Sequence, residues 1–166
     1  MTGKIIALMM GATAVICAVA LYYLQVFHYY ERPEPEGFVV ETPDGPMEVG
    51  ARNIRAIDAS SSPIRFRACF DAAEMPPNAT PYPEAVPLTA PFWFDCFDAE
   101  EIGVALERGE AQAYLAERNI EYGADRVVAI TPDGRGYVWQ QLNNCGELAY
   151  DGTPVTEACP PREEFE

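Results

Sequence analysis

The sequence predicts an α+β architecture: one N-terminal transmembrane helix, then a small disulfide-stapled domain with a mainly antiparallel sheet and a broken helix pair. Three observations predict it. Ile5 to Phe27 runs for 23 residues without a charge. Four of the five cysteines, Cys69, Cys96, Cys145 and Cys159, lie downstream of that run. Around them, short alternating stretches are bounded by Asp-Gly and Pro turns, with a capped helical pattern among them.

A helix rises about 1.5 Å per residue, so the uncharged run spans roughly 34 Å, enough for a hydrocarbon core of about 30 Å. Lys4 and the small-residue pair Ala18 and Ala20 also fit a secretory signal. The apolar run continues seven residues past Ala20, which favours an uncleaved anchor. A lipoprotein reading needs a small residue before Cys17, and Ile16 stands there. Lys4 is the only base before the run, and ERPEPE at 31–36 is net acidic. The positive-inside bias therefore expects a cytoplasmic N-terminus and an exported C-terminal domain. Tyr22, Tyr23, Phe27, Tyr29 and Tyr30 form an aromatic belt suited to the outer interface. Gly3, Ala7, Gly11, Ala14 and Ala18 fall on one helical face, where small side chains let a partner backbone approach closely. That stripe predicts an integral membrane protein as partner.

Lys4 is the only lysine, so everything after it carries ten arginines against 26 acids, a net charge of −16. Such a domain excludes nucleic acid, which needs a basic face, and would be repelled by anionic lipid. Its field favours cations or basic-faced proteins, although acidity also serves solubility alone. Four cysteines in an oxidising compartment predict two disulfides. Cys145 with Cys159 is the favoured pair, closing a loop over 13 intervening residues and leaving Cys69 with Cys96. Cys17 reads as inert packing in the span. No C-x-x-C or C-x-x-C-H occurs, and His28 is the only histidine, so no cofactor and no metal are expected.

Along the exported chain, the prolines of ERPEPE make a stiff spacer. FVVET at 38–42 and Met47–Ile57 predict a hairpin across Pro43-Asp44-Gly45-Pro46. Ile64 to Phe70 alternates, predicting a strand with Ile64, Phe66, Ala68 and Phe70 buried and Arg65 and Arg67 outside. These two arginines either pair with neighbouring carboxylates or bind a small anion. Six prolines between 71 and 91 predict a long irregular segment. Asn78-Ala79-Thr80 matches a glycosylation acceptor, a pattern of low specificity. Phe92, Trp93 and Phe94 form an aromatic patch expected in the core or, where exposed, at an interface. Asp98 is the expected N-cap of a helix with Glu101 at its third position. Gly109 interrupts, and Glu110 to Arg118 predicts a second helical piece. Asp125–Thr131 and Gly136–Leu142 predict a second hairpin across Pro132-Asp133-Gly134, with Trp139 in the core. The acidic end after Pro160-Pro161 is expected to fray. The expected organisation is a tail at 1–4, the span at 5–27, an interfacial belt and spacer at 28–37, an α+β domain at 38–160 and an acidic tail at 161–166.

A hydrolase triad needs a base beside its nucleophile, and the domain has no histidine to serve. No phosphate-cradling glycine loop is present, and the abundant carboxylates carry no glycosidase signal. The chain therefore reads as non-enzymatic.

LYYLQVFHYYE, SSPIRFRACF, PFWFDCFDAEEIGVALERGEA and YGADRVVAITPDGRGYVWQQLNNCG together resemble a proteobacterial family of single-pass membrane proteins of unknown function. Its members are sometimes labelled histidine kinase, a label these residues do not support. The resemblance implies a Gram-negative setting, hence a bacterial inner membrane and a periplasmic domain. The leading expectation is an accessory subunit of an inner-membrane complex. A cytochrome oxidase or bc1–oxidase supercomplex fits best, with the acidic domain recruiting cytochrome c. The alternatives are a periplasmic ligand-binding or sensor module built on Arg65, Arg67 and Trp93, and a transient assembly factor.

Overall fold

The computed structural model describes residues 2–74 and 76–165. It divides into two compact units, one ending at Glu31 and one beginning at Arg32. The first is helix α1 (Thr2–Tyr23), continued by a π-helical turn over Leu24–His28. Gly3–His28 is long and apolar enough to cross a membrane. The hydroxyl of Thr13 donates to Met9 O at 2.9 Å, so this polar side chain is satisfied within the helix. Phe27 packs on Tyr22 and Tyr23, with ring centroids 6.3 and 6.0 Å away.

The second unit is a six-stranded sheet with every pairing antiparallel. Its strands are β1 (Phe38–Val40), β2 (Met47–Ile57), β3 (Arg67–Glu74), β4 (Gln112–Glu121), β5 (Ala124–Ile130) and β6 (Arg135–Leu142). They lie in the order β1-β2-β3-β6-β5-β4. Helix α2 (Ala99–Glu107) follows β3. The α+β class and the mainly antiparallel sheet are as the sequence predicts.

The sheet curls until its outer strands meet. Glu41 N, just past β1, donates to Leu115 O on β4 at 2.8 Å. Thr80 joins them: its N–H donates to Glu41 O at 2.7 Å, and its carbonyl accepts from Leu115 N at 2.9 Å. Pro81 then bridges Tyr114. Neither short β1 nor bulged β4 could complete this closure alone, so the loop supplies the missing stave. Inside the curl lie Phe38, Val40, Val49, Ala56, Phe66, Ala68, Phe70, Ala116, Val128 and Val138. This alternate-residue pattern is what a barrel interior requires.

The outward face of β3, β6 and β5 is covered as well, so β6 is buried from Gly136 to Gln141. Its cover is α2 and the proline-rich segment before it, fastened by three polar side chains. Arg67 Nε donates to Leu88 O at 2.7 Å. Gln141 Nε2 donates to Glu84 O (2.9 Å), and its Oε1 accepts from Val86 N (2.8 Å) and Trp139 Nε1 (3.0 Å). Asp125, wholly buried, accepts from Tyr82 Oη (3.1 Å), Asn119 N (2.8 Å) and Asn143 Nδ2 (2.7 Å). A proline-rich chain has few N–H groups to form a ladder, so side chains of the sheet hold it instead.

Cys69 is bonded to Cys96 and Cys145 to Cys159, with Cα–Cα distances of 6.2 and 4.7 Å, the pairing favoured from spacing. Asp98 caps α2, accepting from Glu100 N and Glu101 N at 2.9 and 3.1 Å.

Four expectations are corrected. The second helical piece at Glu110–Arg118 is instead the start of β4. Gly109 ends α2 at φ +69°, and pairing with β5 overrides the helical propensity of the Ala- and Glu-rich stretch. Arg67 points into the structure rather than out, because the loop covers its face of β3. The irregular segment begins later than residue 71, since β3 runs to Glu74. The acidic tail is docked: Arg162–Phe165 forms a 3-10 turn with Phe165 edge-on to Tyr122 at 5.9 Å and Arg162 over the same ring at 4.7 Å.

Candidate functional site

Alternation along the closed sheet decides which side chains line its interior. On β5, Val128 faces inward, so Arg126 does too; on β6, Val138 faces inward, and so does Gln140. Arg126 and Gln140 are direct cross-strand partners, and Glu117 of β4 is the partner of Arg126 on its other side. These residues lie at the end of the curl where the β2–β3 connection and the β4–β5 turn meet. There Arg126 and Gln140 line a cavity of about 350 Å³ together with Asp58, Ser60, Ser62, Glu121 and Tyr122.

The Arg126 guanidinium lies over the Phe66 ring, 4.5 Å from its centroid. The Gln140 amide is satisfied in the orientation that donates to Pro63 O at 2.8 Å and accepts from an Arg126 terminal nitrogen at 3.2 Å. Arg126 Nε is buried and has no hydrogen-bond partner. Burial pushes the Arg126 pKa down from its usual value, while Glu117 and Asp58 pull it up. A half-buried arginine with an unpaired donor at a barrel mouth is a place where an acceptor would be bound.

The residues singled out from sequence are dispersed. Arg67 gives a terminal nitrogen to Ile64 O (2.9 Å) and Phe66 O (2.6 Å) and lies over the Phe97 ring at 5.8 Å, so it acts as a structural clamp. Arg65 is half-buried and lines none of the cavities described here. The aromatic patch divides: Phe94 is buried, Trp93 is half-buried with Arg32 over its ring at 5.7 Å, and Phe92 is 73% exposed. Trp93 lines a shallow pocket of about 220 Å³ with Arg32 and Arg55, not with Arg65 and Arg67. Among the described residues, the Trp93 pocket is thus not the one expected on Arg65 and Arg67. Gly3, Ala7, Gly11, Ala14 and Ala18 are all exposed on α1, as is Cys17.

A larger groove of about 680 Å³ runs between α2 and the β5–β6 turn, rimmed by Glu101, Arg108, Asp133 and Arg135. Three of its charges engage one another: Arg135 bonds Asp133 at 2.7 Å and pairs with Glu101 at 3.6 Å. Among the described residues, no three acidic, histidine or cysteine side chains are grouped so as to hold a metal ion.

Sequence reasoning missed the barrel mouth because its members are scattered from Asp58 to Gln140. The available signal was register: the Asp133-Gly134 turn fixes Arg126 opposite Gln140.

No curated protein and no solved structure matches this chain. A family model matches residues 38–160, a range that holds the whole sheet, α2 and both disulfides. The chain belongs to DUF6446, a family of unknown function.

Proposed function

We propose that the chain is a non-enzymatic accessory subunit of a bacterial inner-membrane complex. In this reading α1 packs among partner helices, and the acidic domain stands on the periplasmic side. The observation that carries the reading is the span itself. Residues 3–23 are all exposed, and a Cβ added at Gly3 or Gly11 would meet nothing within 4 Å. A face of small residues with room for a second backbone is the form that helix association in lipid takes. Two disulfides support an oxidising compartment for the domain.

The domain's charge supports the second half of the reading. The two fully buried charges, Arg67 and Asp125, cancel, so the outer surface keeps the strongly acidic balance of the composition. Such a surface attracts a basic-faced protein, and a respiratory assembly that receives cytochrome c is the setting that fits.

Purification of the tagged chain in mild detergent tests the first half. Partner subunits should co-elute from the wild type and be lost from Gly11→Leu, which fills the small-residue face while keeping the span apolar. Elution of the wild type alone refutes the subunit role. Cytochrome c turnover by the complex at low ionic strength, with and without the chain, tests the second half; an unchanged rate removes recruitment.

A further inference from the structure

We propose that the barrel mouth binds a small zwitterion of amino-acid size, its carboxylate on Arg126 and its ammonium group against Asp58 and Glu121. The inference does not depend on the accessory-subunit reading, since it concerns a different surface.

Three features select the ligand. The first is the open donor. Arg126 Nε is buried without a partner, and one terminal nitrogen reaches the Gln140 oxygen in its satisfied orientation. Phe66 lies beside the guanidinium at 4.5 Å, and no protein acceptor takes the Nε proton. A carboxylate is the planar acceptor that matches that fork. The second is the presence of acids at the same opening. Asp58 and Glu121 line the cavity together with Arg126. Asp58 holds its position by accepting from Ala59 N at 2.7 Å through Oδ1. A simple anion, phosphate above all, would meet these carboxylates as like charges. A molecule that also carries an ammonium group turns them into partners. The third is the field of the whole chain. At a net charge of −15 it repels anions from solution but leaves a zwitterion, which has no net charge, free to approach. Ser60, Ser62, Pro63, Ile120 and Tyr122 are among the residues of the remaining wall. The cavity of about 350 Å³ is at the small end for ligand sites, which limits the occupant to about the size of a free amino acid.

Isothermal titration calorimetry on the full chain in detergent micelles tests this, using each proteinogenic amino acid, with sodium acetate and inorganic phosphate as comparators. At least one amino acid should bind with a Kd of about 1 mM or tighter, with acetate at least about tenfold weaker. Arg126→Met should abolish that binding, and Asp58→Asn should weaken it about tenfold. Because Arg126→Met could disturb the Phe66 contact, the wild type carries a second readout. In protein labelled with 15N-arginine, the Arg126 Nε–H resonance should shift on titration with the binding amino acid. Absence of binding by every amino acid, or binding that survives Arg126→Met, overturns the proposal. So does an Nε–H signal that stays in place, or acetate or phosphate binding as tightly as the best amino acid.

Discussion

Gly136→Ala isolates one contact in the core of the curled sheet. Gly136 on β6 is the cross-strand partner of Phe70 on β3, and the Phe70 ring lies directly over the glycine Cα. A Cβ built there would overlap three ring carbons. Gly136 is not among the positive-φ residues, so the substitution carries no backbone penalty and its cost is purely steric. The ring has little room to retreat: Phe70 is 4% exposed and packs 5.3 Å from the Phe38 ring. Overpacking a filled core costs about 1–3 kcal/mol. With about 2.1 cal/mol/K of unfolding entropy per residue, a unit the size of residues 32–166 has roughly 0.3 kcal/mol/K, so a 2 kcal/mol loss lowers Tm by about 7 °C. The tryptophan band of near-UV circular dichroism follows this, because α1 has no tryptophan and the buried Trp139 reports on the sheet. Phe70→Leu should make room for the new methyl, and the double variant should be more stable than the sum of the two single losses by at least about 1 kcal/mol. A Gly136→Ala Tm within about 1 °C of wild type would refute the packing argument, as would strict additivity.

The alkaline limb of stability should be set by buried tyrosines. Burial, reinforced by Asp125, raises the Tyr82 phenol to about 12, and burial raises Tyr137 as well. A raised folded-state pKa favours the protonated form in the native state. This contribution is therefore complete below pH 10 and is lost as pH rises from 10 towards 12. Urea midpoints measured from pH 9 upward should fall across that window, and less steeply in Tyr82→Phe; an identical slope would refute the assignment. The disulfides should differ in reach. By loop length alone, removing Cys69–Cys96 (separation 27) costs about 3.5 kcal/mol and Cys145–Cys159 (separation 14) about 3 kcal/mol. Only loss of the first should expose the proline-rich segment to limited proteolysis, because Cys96 ties its end to β3. Equal protection in both paired Cys→Ala variants would contradict that.

The elements legible in the sequence are those governed by local rules. The Ile5–Phe27 run, the Asp98 cap and the β5–β6 hairpin each follow from a pattern read within about twenty residues. Cysteine spacing sufficed for the disulfides. The missed elements depend on distant partners. β4 looks helical because its bulges near Leu115–Glu117 bury Leu115 and Ala116 side by side, erasing the period of two. Arg67 alternates as an exposed residue does, yet a loop some twenty residues later covers it. The barrel mouth is still less visible, since Arg126 sits in DRVVAIT as an ordinary strand arginine. Only the closure by Glu41, Thr80 and Leu115 turns its side of the sheet into an interior.

The docked tail bears on how this protein should be handled at the bench. Tyr122 forms part of the cavity wall, and Arg162 and Phe165 rest on its ring. A purification handle or fluorophore fused beyond Phe165 would load the turn that rests on this wall residue. The turn at Asp151–Thr153 offers a better attachment point. Gly152 there has nothing within 4 Å of an added Cβ, and its hairpin is fixed by the Leu148–Pro154 bridge rather than by the sheet.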